Sequence, residues 1–186
     1  MESPLTILFE DNHCVAVSKP APLLTQGVAA GPIPTLEGQV KDYLRERYHK
    51  PGNVYLGIPH RLDRPVTGVI VFARNTKAAR RLAEQFQLRQ VTKIYWALVE
   101  GNVEPQEGKW EDWLRKLPEL ARSEVVDSGA TGARRAILHY RCLGTHEGCS
   151  LLELLQRQLR FALRHVGISE QAQRFCVCCR FVNQRL

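Results

Sequence analysis

No apolar run in the 186-residue sequence approaches the ~20 residues that cross a bilayer as a helix, so a helical membrane span is not expected. The first residues, Met1-Glu2-Ser3-Pro4, have neither the basic nor the apolar stretch of a secretory leader. The expected compartment is therefore the cytoplasm. Internal repeats are missing, and the Gly/Pro stretch at 27–34 is too apolar for a flexible linker, so one domain over 1–186 is expected. Cysteine is present at six positions, Cys14, Cys142, Cys149, Cys176, Cys178 and Cys179, but not in a metal-binding pattern. A structural zinc site needs ligand pairs at C-x₂₋₄-C spacing and four ligands. The run at 176–179 is too tight and has no second pair nearby. Free thiols and no metal are expected.

Acidic residues are also few. Lys and Arg number 26 against 19 Asp and Glu, for a net charge of +7 and a pI near 9.3. The imbalance sits at the end of the chain. Residues 155–186 hold six arginines (157, 160, 164, 174, 180, 185) and one acid, Glu170, a net of 6 − 1 = +5, which leaves +2 for the first 154 residues. A polyanionic partner such as RNA fits this distribution, and so does a solvated basic tail.

The apolar fraction of 44% is that of a globular protein with a core. Residues 7–9 and 14–17 read as short strands separated by Asp11-Asn12, and Lys19-Pro20-Ala21-Pro22 ends the second. Leu36, Val40, Tyr43, Leu44 and Arg47 follow helical spacing behind Thr35 as N-cap. Residues 54–58 and 69–73 predict a pair of strands around the polar segment at 60–64. Asn75 is placed to cap a helix with an inner face of Ala79, Leu82, Ala83 and Phe86. Strands are expected at 94–99, 136–142 and 150–154, with 155–166 helical and 175–182 strand-like. Trp110 and Trp113 lie in a segment that reads as strand or loop, and cover for the sheet is their simplest use. The fold class expected is α+β, a mixed and largely antiparallel sheet with flanking helices.

One carboxylate, Asp63, lies among His60, Arg61 and Arg64 in the segment between the two predicted strands. The neighbouring guanidinium groups are able to hold it ionised, and a polar loop on a rigid scaffold is a common site design. A structural ion pair capping the strands accounts for the same residues.

The segment His60-Arg61-Leu62-Asp63-Arg64-Pro65-Val66-Thr67-Gly68 resembles the catalytic motif of the RluA-type RNA pseudouridine synthases, H-R-L-D-x-x-T-S-G, with a hydroxyl and the glycine retained. Three further segments agree in order. Val17-Ser18-Lys19-Pro20 is similar to the family's early Asn-Lys-Pro segment. Lys93-Ile94-Tyr95-Trp96-Ala97-Leu98-Val99-Glu100-Gly101 matches its K-x-Y-x-A-x-V-x-G strand. Ser150-Leu151-Leu152-Glu153-Leu154 resembles the strand before its last motif. The resemblance covers residues 5–154 and implies a pseudouridine synthase fold and the conversion of uridine to pseudouridine in structured rRNA or tRNA. It implies Asp63 as the essential carboxylate, either attacking C1′ or taking a proton from C2′. It implies Tyr95 as the ring that stacks on the uracil and helps to remove the C5 proton. Arg61 would enter the RNA stack when the uridine flips out or contact a phosphate. His60 would shape the motif more than act as a base, and together with Arg64, Arg157 and Arg164 it completes the expected RNA contacts. Neither cofactor nor metal is needed, and a monomer is expected.

Beyond 154 the pattern departs. The family's T-G-R-x-H-Q-I-R ends in an arginine that pairs with the catalytic aspartate. Here Gln158-Leu159-Arg160 is what can be laid on Q-I-R, so Arg160 is the expected partner of Asp63, on a helix after the 150–154 strand. The Thr-Gly-Arg is missing, the later Gly-Asp and Tyr-Gly are missing, and an S4-type RNA-binding module ahead of the domain is not expected. The C-terminal part is thus expected to be atypical and incomplete, and an inactive RNA-binding relative is the alternative reading.

Overall fold

The computed structural model describes residues 5–27, 33–88, 90–117, 122–156 and 176–182. The chain divides into two compact units, Met1–Val91 and Thr92–Leu186.

In the first unit, β1 (Thr6–Glu10) and β2 (Cys14–Lys19) form an antiparallel hairpin. Asp11 makes the turn: its carboxylate accepts from the main-chain N–H of His13 at 2.7 Å and of Cys14 at 2.6 Å, the local bonding that makes Asp a turn residue. Along β2 the alternate residues Val15, Val17 and Lys19 are fully buried. β3 (Thr67–Ala73) lies antiparallel on the other side of β2, from Cys14↔Ala73 to Lys19↔Gly68. Gly68 opens β3 with φ +135°, a conformation that side-chain-bearing residues avoid.

The two helices expected before residue 155 form with the expected caps. In α1 (Leu36–Arg47) the Thr35 hydroxyl accepts from the Gly38 N–H, and Leu36, Val40 and Leu44 are buried. In α2 (Thr76–Gln87) the Asn75 side chain accepts from the Ala78 N–H. The inner face of α2 differs from the expected one: Ala78 is buried, Ala79, Leu82 and Phe86 are half-buried, and Ala83 is exposed. The expected strand at 54–58 is a single bridge, Gly57↔Ala73. Val54 and Leu56 are buried and Tyr55 is exposed, so the alternation is that of a strand although the pairing is confined to Gly57. The reason for a glycine is a close approach: a Cβ there would lie 2.7 Å from the Ala79 Cβ on α2.

In the second unit β4 (Thr92–Glu100), β5 (Glu107–Leu117), β6 (Arg122–Val125), β7 (Arg134–His146), β8 (Cys149–Gln156) and β9 (Cys176–Val182) form a sheet in the order β9-β4-β8-β7-β5-β6. Each pairing is antiparallel. β7 and β8 are joined by a two-residue turn, Glu147-Gly148, with both φ positive (49° and 73°), the turn that matches the twist of a hairpin. Trp110 and Trp113 belong to β5, and Trp110 stacks on Tyr140 of β7 at 4.1 Å. β8 runs through Leu155 and Gln156, where the sequence pattern expects a helix to begin. The short β6 has no counterpart among the expected strands. Cys14, Cys142 and Cys149 are free thiols. Among the described residues no helix is long and apolar enough to cross a membrane.

Candidate active site

The loop bearing Asp63 is built from its backbone outward. After the bridge at Gly57, His60 turns inward: its Nε2 accepts from the Val71 N–H of β3 at 3.1 Å, and its ring stacks on Phe86 of α2 at 4.8 Å. A ring nitrogen that accepts this bond carries no proton, so the His60 imidazole braces the loop as a neutral group. Leu62 is buried, and its main chain makes two bonds to the Thr25 hydroxyl. Thr25 Oγ1 donates to the Leu62 carbonyl at 2.8 Å and accepts from the Leu62 N–H at 3.2 Å. On the far side of Asp63, the Lys19 ammonium donates to the Arg64 carbonyl at 3.2 Å. The Val66 N–H donates to the Asp63 carbonyl at 3.0 Å and closes the turn. The main chain is thus held immediately before and immediately after Asp63, while the Asp63 side chain is exposed.

Lys19 places a buried cation beside this loop. Its side chain is fully buried because it falls on the inward phase of β2. Its three N–H groups meet three carbonyl oxygens, those of Pro20 (3.1 Å), Leu23 (2.7 Å) and Arg64, the full donor capacity of an ammonium. Burial pushes its pKa down to about 8, and the Asp63 charge acts in the opposite direction. Arg61 and Arg64 are exposed. The Arg64 guanidinium turns away, with Nε donating to the Pro22 carbonyl at 3.1 Å. Among the described residues no guanidinium lies within 4.0 Å of the Asp63 carboxylate. The Lys19 ammonium makes no ion pair within 4.0 Å of that carboxylate either; the two attract through charge at longer range. The signal for Lys19 was available: a lysine in phase with Val15 and Val17 is anomalous, since lysine is almost never fully buried unless paired. Thr25 carried no signal of its kind.

Tyr95 lies in the middle of β4, in the second unit. It is buried and paired with Leu154 of β8 and Cys179 of β9. Arg157, Arg160 and Arg164, and with them the expected helix and the expected partner of Asp63, lie outside the described residues.

A carboxylate on a pinned main chain, open to solvent and near a buried ammonium, is arranged to act on a group brought to it, as a nucleophile or as a base. Comparison with known proteins points the same way. A family model described as RNA pseudouridylate synthase matches residues 13–165, past 154 where the motif resemblance fades. A dual-specificity RNA pseudouridine synthase RluA of Vibrio vulnificus is 38% identical over 102 residues, 55% of this chain and 38% of that protein. A ribosomal large subunit pseudouridine synthase D of Pseudomonas aeruginosa is 32% identical over 171 residues, 88% of this chain and 50% of that protein. The chain thus spans half or less of the length of these two relatives. The structure of human RNA pseudouridylate synthase domain containing 4 superimposes with a TM-score of 0.73 at 23% identity, over 95% of this chain and 66% of that one, which is a likeness of fold.

Proposed function

Because the chain belongs to the RluA-type RNA pseudouridylate synthase family, we propose that it isomerises uridine to pseudouridine in structured ribosomal or transfer RNA. The observation that carries this reading is Asp63 itself, the aspartate of the best-matched motif. It is held on both flanks by Thr25 and Lys19 and left exposed where a nucleotide can reach it.

In the reaction the N1–C1′ bond of the uridine breaks, the uracil turns over while bound, and C5 bonds to C1′ with loss of the C5 proton. The Asp63 carboxylate assists the first step, either by bonding to C1′ or by taking the C2′ proton, much as carboxylates assist glycoside cleavage. The leaving group is the uracil, which is retained, so no second acid is required. Tyr95 is assigned the stacking of the uracil and the removal of the C5 proton. Arg61 and Arg64, exposed beside Asp63, are assigned to the RNA, with Arg61 entering the stack as the uridine flips out. Water must be kept from the cleaved sugar, and the exposure of Asp63 makes the arriving RNA the group that excludes it. The reaction needs neither metal nor cofactor. A monomeric cytoplasmic catalytic domain over 1–186, with Arg160 as the guanidinium facing Asp63, completes the proposal.

The test is a pseudouridine map of total RNA from cells with and without this gene. At least one uridine should lose its modification in the deletion and regain it on incubation with the purified chain. Identical maps, with RNA binding intact, would leave an inactive RNA-binding relative.

A further inference from the structure

We propose that Thr25 is a positioning residue for Asp63, its hydroxyl serving as the hydrogen-bonding partner of the Leu62 main chain and so fixing where the next residue's carboxylate stands. This role rests on the functional reading above.

The geometry is specific. One hydroxyl both donates to the Leu62 carbonyl (2.8 Å) and accepts from the Leu62 N–H (3.2 Å), as a neighbouring strand residue would do with its own main chain. Both residues are inside: Thr25 is 3% exposed and Leu62 6%. Water therefore has little access to replace the bonds. The Thr25 side chain is stiff, because β-branching restricts χ1, and its main chain is tied down as well. The Thr25 carbonyl accepts from the Glu37 N–H at 3.0 Å, and the Leu24 carbonyl accepts from the Leu36 N–H at 2.9 Å. Leu24 also bridges to Thr35. These bonds satisfy N–H groups of the first turn of α1, which have no partner within the helix. A continuous set of hydrogen bonds thus leads from the start of α1 through the Thr25 main chain and its hydroxyl to Leu62, the residue before Asp63. Lys19 holds the residue after it. Without the Thr25 hydroxyl, one of the two anchors is gone and the carboxylate is free to swing about the other.

A misplacement of about 1 Å in a catalytic group costs on the order of 100-fold in rate. Thr25→Val keeps the shape and deletes the hydroxyl, Thr25→Ser keeps the hydroxyl, and Thr25→Cys replaces it with a weak donor and acceptor. Single-turnover rates, KM and RNA affinity are measured for each on an RNA that the unaltered chain modifies, with Asp63→Asn as the zero. Thr25→Val should lose roughly 10- to 100-fold in kcat, with KM and RNA affinity within two- to three-fold, and Thr25→Ser should recover most of the loss. Amide exchange at Leu62 should speed up in Thr25→Val and return in Thr25→Ser. A folded Thr25→Val with unchanged kcat overturns the proposal. Should Thr25→Val not fold, the comparison of Cys with Ser decides: equal kcat overturns the proposal, and a lower kcat for Cys at equal KM supports it. An unaltered chain that modifies no RNA overturns the functional reading and this role with it. Normal turnover in both the unaltered chain and Thr25→Val overturns the positioning role alone.

Discussion

At the scale of single residues, Lys19 shows how a site charge is held and how it can be detected. Its ammonium is removed from water and given three carbonyl oxygens, and burial still outweighs the attraction of Asp63, so that its pKa falls to about 8 from 10.5. Below pH 8 the folded and unfolded chains both carry the proton, and this group adds no slope to stability. Between pH 8 and 10.5 the folded chain has released a proton that the unfolded chain still holds. Stability from this group therefore rises with pH across that window, by roughly 3 kcal/mol in all. Urea unfolding at pH 7.5 and at pH 10 checks this. The chain should gain stability relative to its Lys19→Met variant on going to the higher pH, and parallel curves would show that Lys19 titrates normally. Asp63 was legible in the sequence through its motif and Lys19 through its anomalous inward phase, whereas their coming together was not. Sequence proximity pointed to Arg61 and Arg64, and the contact of Lys19 from β2 with the Arg64 carbonyl is one that a local pattern cannot reveal.

At the scale of elements, local chemistry was the readable part. Thr35 and Asn75 cap α1 and α2 as their sequence positions imply, because capping involves residues three apart. Strands whose apolar alternation is strong, such as β2 and β4, were also readable. The segment at 54–58 departs from its expected strand because burial alternation and strand pairing are separate properties: Val54 and Leu56 turn inward without a partner strand alongside. The four-residue β6 is too short to show a period, and β8 continues over Leu155 and Gln156 because β4 and β7 offer it partners there. The close approach of Gly57 to α2 gives the prediction at this scale. With the added Cβ at 2.7 Å from that of Ala79, Gly57→Ala should force α2 outward and destabilise the chain by about 1–3 kcal/mol. Its urea midpoint reads this directly. Gly52→Ala is not an adequate control, since Gly52 has φ +78°; Gly129→Ala, with nothing within 4 Å of its added Cβ, is.

At the scale of the whole molecule, the charge distribution fits the proposed partner, RNA. The +5 carried by residues 155–186 should give RNA affinity a steep dependence on salt. Changing Arg157 and Arg164 together to Gln should lower the slope of log affinity against log salt by about one for each phosphate these arginines neutralise; an unchanged slope would make this charge a solvated face. The family and the fold class were legible over most of the chain because four motifs stand in order. The partner of Asp63 expected from the C-terminal segment, Arg160, lies outside the described residues, where the family motif is altered. The central claim is that Asp63 performs the isomerisation, and the measurement that tests it most directly is pseudouridine formation by Asp63→Asn on an RNA that the unaltered chain modifies. Asn keeps the shape of the side chain and removes the charge. The account predicts no detectable pseudouridine, with RNA affinity within a few-fold of the unaltered chain. Turnover near that of the unaltered chain would contradict it.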